Sequence, residues 1–413
     1  MGVLASSGVS RSKRAAMALL CAATIAVVTW SVVRWAYRPA PTGDLHHALD
    51  RTLADFFQSN RPVRNCVISV MSGDGSLVWS GAAGSARENV AMTSDTPIYI
   101  ASVTKLYTAT AVMRLAEQRR LTLDDPMAKY LPKELIDKIQ VYQGRDYTNA
   151  ITLRGLLAHR TGIPDYYSEK AGDGKSLFEL FVEDPGRSWT PEQTIARARD
   201  ELKPAFAPDT QTSYSDTYYQ LLGKVIERVT GKPLEVVFEE FFFEPLGLRH
   251  TWMVGHCRPS GALCPLPAQV FLADRDVTAT RSNGAYWADG GIVSTAAEMN
   301  VFLKALREGG LIRQESLDEM HEWKPMSRPL EYGYGTMRFE LPWPVRALTG
   351  IPVLWGHSGS TGSFLYYSQD FDLYVAGTTD QIDGKMKPFL LIGRAIQTVN
   401  AESRSSGARR SGD

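Results

Sequence analysis

The sequence lacks an excess of charge of either sign, a framework of cysteines and any familiar metal-ligand spacing. Its 413 residues include 45 Lys and Arg against 45 Asp and Glu, so the formal net charge is zero. This balance argues against a polyanion-binding surface, and we expect no nucleic-acid partner. The seven histidines and four cysteines form no CxxC or HExxH pattern, so we expect no metal and no cofactor. A Gly-x-Ser-x-Gly elbow is also missing, which excludes that route to a nucleophile.

Two of the four cysteines bracket a short loop that contains proline and glycine. They are Cys257 and Cys264. In an oxidising compartment this pair would close a small disulfide loop, whereas elsewhere the two thiols would stay unpaired. The sequence leaves both alternatives open.

One long apolar run stands near the N-terminus. Residues 15–33 form a 19-residue stretch without a charged side chain, which is long enough to cross the hydrocarbon layer as a helix. Basic residues are in excess on its N-terminal side, so residues 1–14 are predicted to stay in the cytoplasm and the body to be extracytoplasmic, periplasmic or extracellular. A cleaved signal peptide, which would release a secreted protein, is the alternative.

The rest of the chain has strand patterns at both ends and helical patterns between them. Residues 34–43 are predicted to be a linker, residues 44–400 one folded domain with a helical lobe at about 125–290, and residues 401–413 a disordered tail. The predicted strands are Val67–Met71, Leu77–Gly81, Tyr332–Phe339, Ser363–Ser368 and Leu373–Thr378. Thr190 through Gln193 predicts a helix start with a capping box, and a last helix is predicted from about Lys387 to Val399. This order predicts an α+β fold in which an antiparallel sheet is built from both chain ends, with an all-helical lobe beside it and a site at their junction.

The first candidate for chemistry is the pair Ser102 and Lys105 at the start of a predicted helix, Ser102–Arg119. A spacing of three residues places both side chains on one helix face, where a lysine amine can take the serine proton. Free N–H groups at a helix start also favour developing negative charge. The spacing alone is weak evidence, because Ser10 and Lys13 share it. The alternative is that Ser102 only caps the helix and Lys105 is a surface lysine.

The second candidate is Tyr214, followed by Ser215 and Asp216 at the start of another predicted helix. A phenol beside a serine–lysine pair can relay a proton to a leaving group. Alternatively, Ser215 or Asp216 only caps the helix. Tyr147, in Tyr147-Thr148-Asn149, has the same sequence pattern and is a second candidate for this role.

The third candidate is the segment Gly356-His357-Ser358-Gly359-Ser360 at the edge of a late strand. Glycine in such a strand lets a substrate backbone approach closely. A hydrogen-bonded structural histidine is the alternative explanation for His357.

In their order along the chain, these three motifs resemble the serine β-lactamase, D,D-peptidase and related esterase superfamily, over roughly residues 45–399. Longer family-like strings are Ile100 through Lys105, Leu156 through Pro164, Tyr214 through Gly231, Gly290 through Ala296 and Gly356 through Gly362. The resemblance implies a β-lactamase/transpeptidase-like fold and an acyl-enzyme on Ser102 with Lys105 beside it. It also implies a Tyr214 proton relay, a catalytic His357, and a substrate-binding role for Gly359 and Ser360, with backbone N–H groups of Ser102 and Ser360 forming the oxyanion hole. Tyr214 is preferred to Tyr147 because only Tyr214 precedes the family-like helix.

Two positions depart from the family pattern. His357 stands where many β-lactamases carry lysine, which favours a D-Ala-D-Ala carboxypeptidase or a carboxylic esterase over a β-lactamase. Asp216 stands where asparagine is usual, and a carboxylate can only accept hydrogen bonds and would stabilise a charged Lys105. The resulting prediction is a membrane-anchored serine hydrolase for a small-molecule or peptide substrate (an ester, a D-Ala-D-Ala peptide or a β-lactam). A catalytically weak or silent paralogue that binds cell-wall peptide or β-lactam as a sensor is the alternative.

Overall fold

A computed structural model describes residues 44–184, 186–256, 265–278, 285–327, 329–384 and 386–410. The apolar run at 15–33, the linker and the two cysteines Cys257 and Cys264 lie outside these ranges. Across the described ranges, no helix combines the length and the apolar character that membrane crossing requires.

Helices dominate the middle of the chain. They are α1 Leu45–Ser59, α2 Thr104–Glu117, α3 Lys133–Ile136, α4 Leu153–Leu157, α5 Leu177–Glu183, α6 Pro191–Glu201, α7 Asp216–Thr230, α8 Leu234–Phe238, α9 Ala296–Arg307, α10 Gln314–Met320, α11 Trp343–Thr349 and α12 Lys387–Arg410. Short 3-10 turns lie at Ala101–Val103, Met127–Lys129 and Thr148–Ala150, and a π-helical turn Glu239–Phe243 follows α8.

The strands lie mainly near the two ends of the chain. They are β1 Asn65–Ser72, β2 Val78–Arg87, β3 Val90–Ala91, β4 Ile98–Tyr99, β5 Val141–Tyr142, β6 Arg145–Asp146, β7 Trp252–Met253, β8 Phe271–Leu272, β9 Arg275–Asp276, β10 Ile292–Ser294, β11 Lys324–Ser327, β12 Leu330–Tyr332, β13 Met337–Phe339, β14 Leu354–Ser358, β15 Ser363–Ser368 and β16 Leu373–Thr378.

Nine of the described strands form one antiparallel sheet in the order β11-β12-β13-β14-β15-β16-β1-β2-β3. The N-terminal hairpin joins the C-terminal strands where β1 pairs with β16, with Val67 opposite Thr378. The predicted α+β fold, with a sheet built from both chain ends, is therefore confirmed. A smaller sheet of β4, β10 and β7 lies at the start of α2.

Two hydrophobic layers cover the faces of the main sheet. On one face α1 packs with α12: Phe56 and Ile396 are buried there, and Thr52 Oγ1 lies 2.8 Å from Thr398 Oγ1 between the two helices. On the other face α2, α7 and α9 share a core that includes Leu106 and Leu222. Burial of each such large side chain contributes about 1.5–3 kcal/mol.

Local patterns located several of the predicted elements correctly. The capping box that the sequence predicts for α6 is present, because Thr190 Oγ1 accepts from the backbone N–H of Gln193 and Gln193 Oε1 accepts from the backbone N–H of Thr190. The predicted strands Ser363–Ser368 and Leu373–Thr378 are found at the same bounds. Helices α3 to α8 all begin and end within the predicted helical interval.

Two predicted boundaries were wrong. The single strand predicted at Tyr332–Phe339 is two strands, β12 and β13, because the Gly333–Thr336 segment makes a turn that is closed by a hydrogen bond from Gly333 N–H to Thr336 O. The last helix continues to Arg410 instead of ending near Val399, so residues 401–410 are helical and do not form the disordered tail that the sequence predicts. Residues 401–410 contain no proline, so the chain there can continue a helix that is already nucleated by packing against α1.

Candidate active site

Ser102 lies in the tight turn that joins β4 to α2. The residue before it, Ala101, has a φ of 46°, in the left-handed region that few non-glycine residues adopt. The turn is fixed from β10, since Ile100 N–H donates to Ile292 O over 3.1 Å and Ile292 N–H donates to Thr104 Oγ1 over 3.1 Å. The turn leaves Ser102 partly exposed, and backbone N–H groups at a helix start lack intrahelical partners.

Lys105 lies one helical turn further on, and its side chain is fully buried. Its Nζ donates to Ser102 Oγ over 3.2 Å, to Asp289 O over 2.8 Å and to Asp216 Oδ1. An ammonium group has three N–H bonds, and here three acceptors use them. The geometry therefore describes a charged lysine that donates a hydrogen bond to the serine oxygen.

The charges around Lys105 keep it protonated. Burial lowers the pKa of Lys105, but the negative charge of Asp216, bonded to the same ammonium, outweighs burial and holds the pKa above its ordinary value. Asp289 acts in the same direction. Lys105 must lose a proton before it can accept one from Ser102, and Asp216 opposes that loss.

Tyr214 lies beside Lys105, whose Nζ is 5.0 Å from the centre of the tyrosine ring. The Tyr214 hydroxyl is buried and finds no hydrogen-bond partner among the described residues. Burial raises the pKa of this phenol, while the Lys105 charge acts in the opposite direction; the phenol is neutral near pH 7. The competitor Tyr147 lies elsewhere, with the guanidinium of Arg145 over its ring at 4.8 Å.

A buried histidine holds the Tyr214 ring in place. The ring centres of His159 and Tyr214 are 4.5 Å apart, and Nδ1 of His159 accepts from the Ser215 N–H over 3.3 Å. Burial and then the Lys105 charge keep the pKa of His159 well below its ordinary value. His159 is therefore a neutral positioning residue.

Asp216 is the first residue of α7, and its role is not that of a helix cap. Ser215 occupies the N-cap position without a side-chain capping bond, and its hydroxyl donates instead to Pro164 O over 3.2 Å. The Asp216 carboxylate pairs with Lys105, and its backbone N–H donates to Asp165 Oδ1 over 2.9 Å. The capping explanation for this pair of residues was wrong, because both side chains bond away from the helix end.

Two buried aspartates complete the site and were not singled out from the sequence. Asp289 accepts from Tyr166 Oη over 2.6 Å and from Gln220 Nε2 over 3.0 Å, and burial followed by the Asp216 charge raises its pKa to about 6. Asp165 is raised to a pKa of about 7 by the same two causes. Both residues lie directly beside strings that looked family-like, but sequence proximity gave no sign that Asp289 acts on Lys105 or that Asp165 binds the backbone of Asp216.

His357 is buried in β14 with both ring nitrogens engaged. Its Nδ1 lies 2.7 Å from Ser358 O, which can only accept, so Nδ1 carries the hydrogen and Nε2 accepts from Tyr332 Oη over 3.1 Å. Burial and then the Lys105 charge lower the pKa of His357 to about 3. This arrangement fits a neutral residue that ties β14 to β12, and a direct catalytic role for His357 stays a prediction.

The segment after β14 lies against the turn that carries Ser102. A side chain at Gly359 would place its Cβ 2.5 Å from Ile100 O, so only glycine fits there. Ser363 Oγ also donates to Ile100 O over 2.7 Å, and Thr361 Oγ1 donates to Tyr99 O over 2.9 Å. Ser360, between them, is exposed. These contacts place Gly359 and Ser360 next to the Ser102 turn. An oxyanion hole formed by the backbone N–H groups of Ser102 and Ser360 stays a prediction.

The described residues hold no group of three or more His, Cys, Asp or Glu side chains arranged to bind a metal ion.

Comparison with known proteins finds relatives of this chain. The Beta-lactamase family model matches residues 61–387. The D-alanyl-D-alanine-carboxypeptidase/endopeptidase AmpH of Escherichia coli (strain K12) is 26% identical over 282 residues, which is 68% of this chain and 66% of AmpH. Esterase EstB of Burkholderia gladioli is 29% identical over 192 residues, 45% of this chain and 46% of EstB. The chain thus spans just under two thirds of AmpH.

Among solved structures, the D-stereospecific amidohydrolase from Streptomyces sp. superposes with a TM-score of 0.66. The two chains are 26% identical, and the match covers 83% of this chain and 97% of the amidohydrolase. Nearly the whole fold of that enzyme is therefore present here.

Proposed function

Because this chain belongs to the Beta-lactamase family of serine hydrolases, we propose that it hydrolyses a carboxylic ester or a D-Ala-D-Ala peptide through an acyl-Ser102 intermediate. The contact that carries this proposal is the 3.2 Å distance between Lys105 Nζ and Ser102 Oγ at a helix start. The relatives named as a carboxypeptidase and an esterase support these two substrate classes. No cofactor or metal is required.

The proposed reaction balances with the residues of the site. Lys105 first loses a proton to solvent. Its neutral amine then takes the Ser102 proton as Oγ bonds to the substrate carbonyl carbon. Backbone N–H groups of Ser102 and Ser360 stabilise the oxyanion. When the bond to the leaving group breaks, Tyr214 donates its proton to that group and regains one from Lys105. Water then attacks the acyl carbon while neutral Lys105 takes one of its protons, and Lys105 returns that proton to Ser102 Oγ as the carboxylic acid is released.

A second candidate function follows from the ion pair between Lys105 and Asp216. Because all three Lys105 N–H groups are engaged and its pKa is raised, this lysine is a weak base at neutral pH. That observation favours a weak or silent paralogue that binds cell-wall peptide or β-lactam as a sensor. The two candidates differ in whether an acyl-enzyme forms and turns over.

The test is turnover and covalent labelling of the wild type and of Ser102→Ala. We expect the wild type to hydrolyse p-nitrophenyl butyrate and to gain the mass of a fluorophosphonate on Ser102, and Ser102→Ala to lose turnover by several powers of ten. Ser10→Ala, at the other serine with a lysine three residues on, is the matched control and should match the wild type. Turnover by Ser102→Ala within a few-fold of the wild-type rate would refute the assignment of Ser102 as the nucleophile.

Fluorescent penicillin separates the two candidate functions. A label that forms on Ser102 and decays over minutes indicates a hydrolase, whereas a label that persists while ester turnover is absent indicates the sensor. Tyr214→Phe should slow turnover, and Tyr147→Phe, its matched control, should not.

We also propose that residues 15–33 hold the protein in a membrane, with the catalytic body outside the cytoplasm. The support is the uncharged length of this run and the excess of basic residues before it. Protease added to spheroplasts should digest the body and leave a small membrane-bound fragment. Protection of the body, or a soluble mature protein that lacks about the first 38 residues, would contradict this arrangement.

A further inference from the structure

Tyr332 is the last residue of β12, and its side chain is fully buried. Its hydroxyl donates to Nε2 of His357 over 3.1 Å and lies 3.4 Å from Tyr219 Oη. The turn after Tyr332 packs against α2, since a Cβ at Gly335 would lie 2.8 Å from Lys105 O. Tyr332 is therefore held both through its hydroxyl and through the backbone that follows it.

The ring of Tyr332 packs against the Tyr214 ring and against the His159 ring beside it. The ring centres of Tyr332 and Tyr214 are 5.8 Å apart, and the two planes meet at 81°. The Tyr332 ring centre is also 4.4 Å from that of His159, which itself lies 4.5 Å from the Tyr214 ring centre. Edge-to-face contacts between aromatic rings stabilise a particular mutual orientation. Tyr332 therefore restricts Tyr214 both directly and through His159.

The position of the Tyr214 hydroxyl depends on this packing. Burial raises the pKa of the phenol, and Lys105 and Ser102 oppose that rise, which indicates that the hydroxyl lies near this pair. No described residue forms a hydrogen bond with this oxygen. A side chain with an untethered polar end keeps its place only through the contacts of its ring. For Tyr214 these contacts include the Tyr332 ring and the Lys105 ammonium.

We propose that Tyr332 is a positioning residue for the Tyr214 proton relay: its ring, tethered through its hydroxyl to His357, holds Tyr214 where the phenol reaches the leaving group. This inference rests on the proposed acyl-Ser102 chemistry and adds the residues that keep its proton donor in place. Tyr332 itself exchanges no proton with the substrate. His357 then has a task that requires no contact with the substrate, namely to accept the Tyr332 hydrogen bond.

The step that depends on this placement is the departure of the leaving group. As the bond between the acyl carbon and the leaving oxygen breaks, the proton moves from Tyr214 Oη to that oxygen, and the Lys105 ammonium returns a proton to Tyr214. A stable anion such as p-nitrophenolate departs without this proton, whereas the alkoxide of benzyl alcohol requires it. A misplaced Tyr214 therefore slows the cleavage of benzyl esters and largely spares p-nitrophenyl esters.

The experiment measures kcat/KM for benzyl butyrate and for p-nitrophenyl butyrate, which deliver the same acyl group to Ser102. Tyr332→Phe keeps the ring and removes the bond to His357. We expect this variant to lose about five- to tenfold on benzyl butyrate, which is part of the roughly 10²–10⁴-fold that a well-placed proton donor contributes, and less than about twofold on p-nitrophenyl butyrate. The ratio of the two values reports the placement of Tyr214.

Tyr366→Phe is the matched control. Tyr366 is another fully buried tyrosine of the sheet, and its hydroxyl lies 2.6 Å from that of Ser358, the neighbour of His357. Its ring packs in the layer of α1 and α12, on the opposite face of the sheet. This variant loses a comparable hydrogen bond and should keep the wild-type ratio of the two esters. A ratio that falls equally in both variants would overturn the assignment to Tyr332.

A double-mutant cycle tests whether Tyr332 acts through Tyr214. Tyr214→Phe should lower the ratio of kcat/KM for benzyl butyrate to that for p-nitrophenyl butyrate more than Tyr332→Phe does. Adding Tyr332→Phe to Tyr214→Phe should lower this ratio no further, because the proton donor is already absent. A second loss of about the same size in the Tyr214→Phe background would overturn the positioning role.

A second pair of variants tests the tether even if Tyr332→Phe fails to fold. His357→Gln keeps an acceptor for the Tyr332 hydroxyl, whereas His357→Leu removes it, so the ratio should fall less in His357→Gln. Equal ratios in the two variants would overturn the tether. Hydrolysis that depends on Ser102 and keeps the wild-type ratio in Tyr332→Phe overturns the positioning role alone. Hydrolysis of both esters that survives Ser102→Ala refutes the proposed function itself.

Discussion

Replacing Asp216 by asparagine should move the acidic limb of the pH–rate profile to lower pH. The reaction requires Lys105 in its neutral form, and Asp216 holds the pKa of Lys105 above its ordinary value against the opposing effect of burial. Asparagine has nearly the same shape and can still accept a Lys105 N–H bond, but it carries no charge. The substitution therefore removes the main stabiliser of the ammonium and leaves burial, which lowers the pKa.

The size of the shift is bounded by the charge interaction. Two unit charges about 4 Å apart at an effective dielectric of about 20 attract by about 4 kcal/mol, which corresponds to about 3 pKa units. Asp289 O still accepts from Lys105 in the variant, and the Asp289 carboxylate remains nearby. We therefore expect a shift of about one to three pH units, with a matching gain in kcat/KM near neutral pH.

The assay is kcat/KM for p-nitrophenyl butyrate between about pH 5 and pH 10, because this parameter reports the ionisations of the free enzyme. Ser102→Ala supplies the blank, and Asp74→Asn, which removes a fully exposed aspartate from the β1–β2 turn, supplies the control. An acidic limb that stays in place, or that moves to higher pH, would refute the reasoning that Asp216 suppresses Lys105 as a base.

The same substitution should also lower stability at neutral pH. A lysine whose pKa is raised in the folded state contributes stability that is fully present below its unfolded pKa, near 10.5, and is lost as the pH rises through the folded value. Removing one partner of a buried ion pair costs up to about 3–5 kcal/mol. We expect a lower melting temperature for Asp216→Asn at pH 7, and a difference from wild type that shrinks at the most alkaline pH values.

Three further predictions concern the rest of the site and the fold. Gly359→Ala should reduce ester hydrolysis by at least about tenfold and lower the melting temperature, because the new Cβ would lie 2.5 Å from Ile100 O; full activity would contradict the close approach. His357→Gln should weaken the acid-induced loss of stability. A histidine with a folded pKa of about 3 lowers the free energy of unfolding by about 1.4 kcal/mol per pH unit as the pH falls from about 6.5 towards 3. Urea unfolding at several pH values measures this slope, and an identical slope in the variant would count against a buried neutral ring. Thr190→Ala should cost about 1 kcal/mol through loss of the bond to the Gln193 N–H, without changing kcat; denaturant unfolding checks the first part and steady-state kinetics the second.

The sequence alone determined the parts of this protein that depend on near neighbours in the chain. Alternation and apolar runs located β15 and β16, and the Thr190–Gln193 pattern located the start of α6, because strand faces and helix caps are set by residues a few positions apart. The spacing of Ser102 and Lys105 placed both on one helix face for the same reason. The order of the motifs then identified the family and, with it, the fold.

Only the tertiary structure decided what surrounds Lys105. The family resemblance had already indicated that Asp216 would act on Lys105, and the two side chains meet across 111 positions. Asp289 reaches Lys105 across 184 positions, and nothing in the local pattern distinguishes this aspartate from a solvated one. Folding brings both aspartates beside the buried Lys105, where a carboxylate contact changes a pKa by far more than it would at the surface. The same packing buries His357 and gives each of its ring nitrogens a hydrogen-bond partner, so its neutral state also depends on the fold. Local spacing can propose which residues meet, but their protonation depends on everything the chain packs around them.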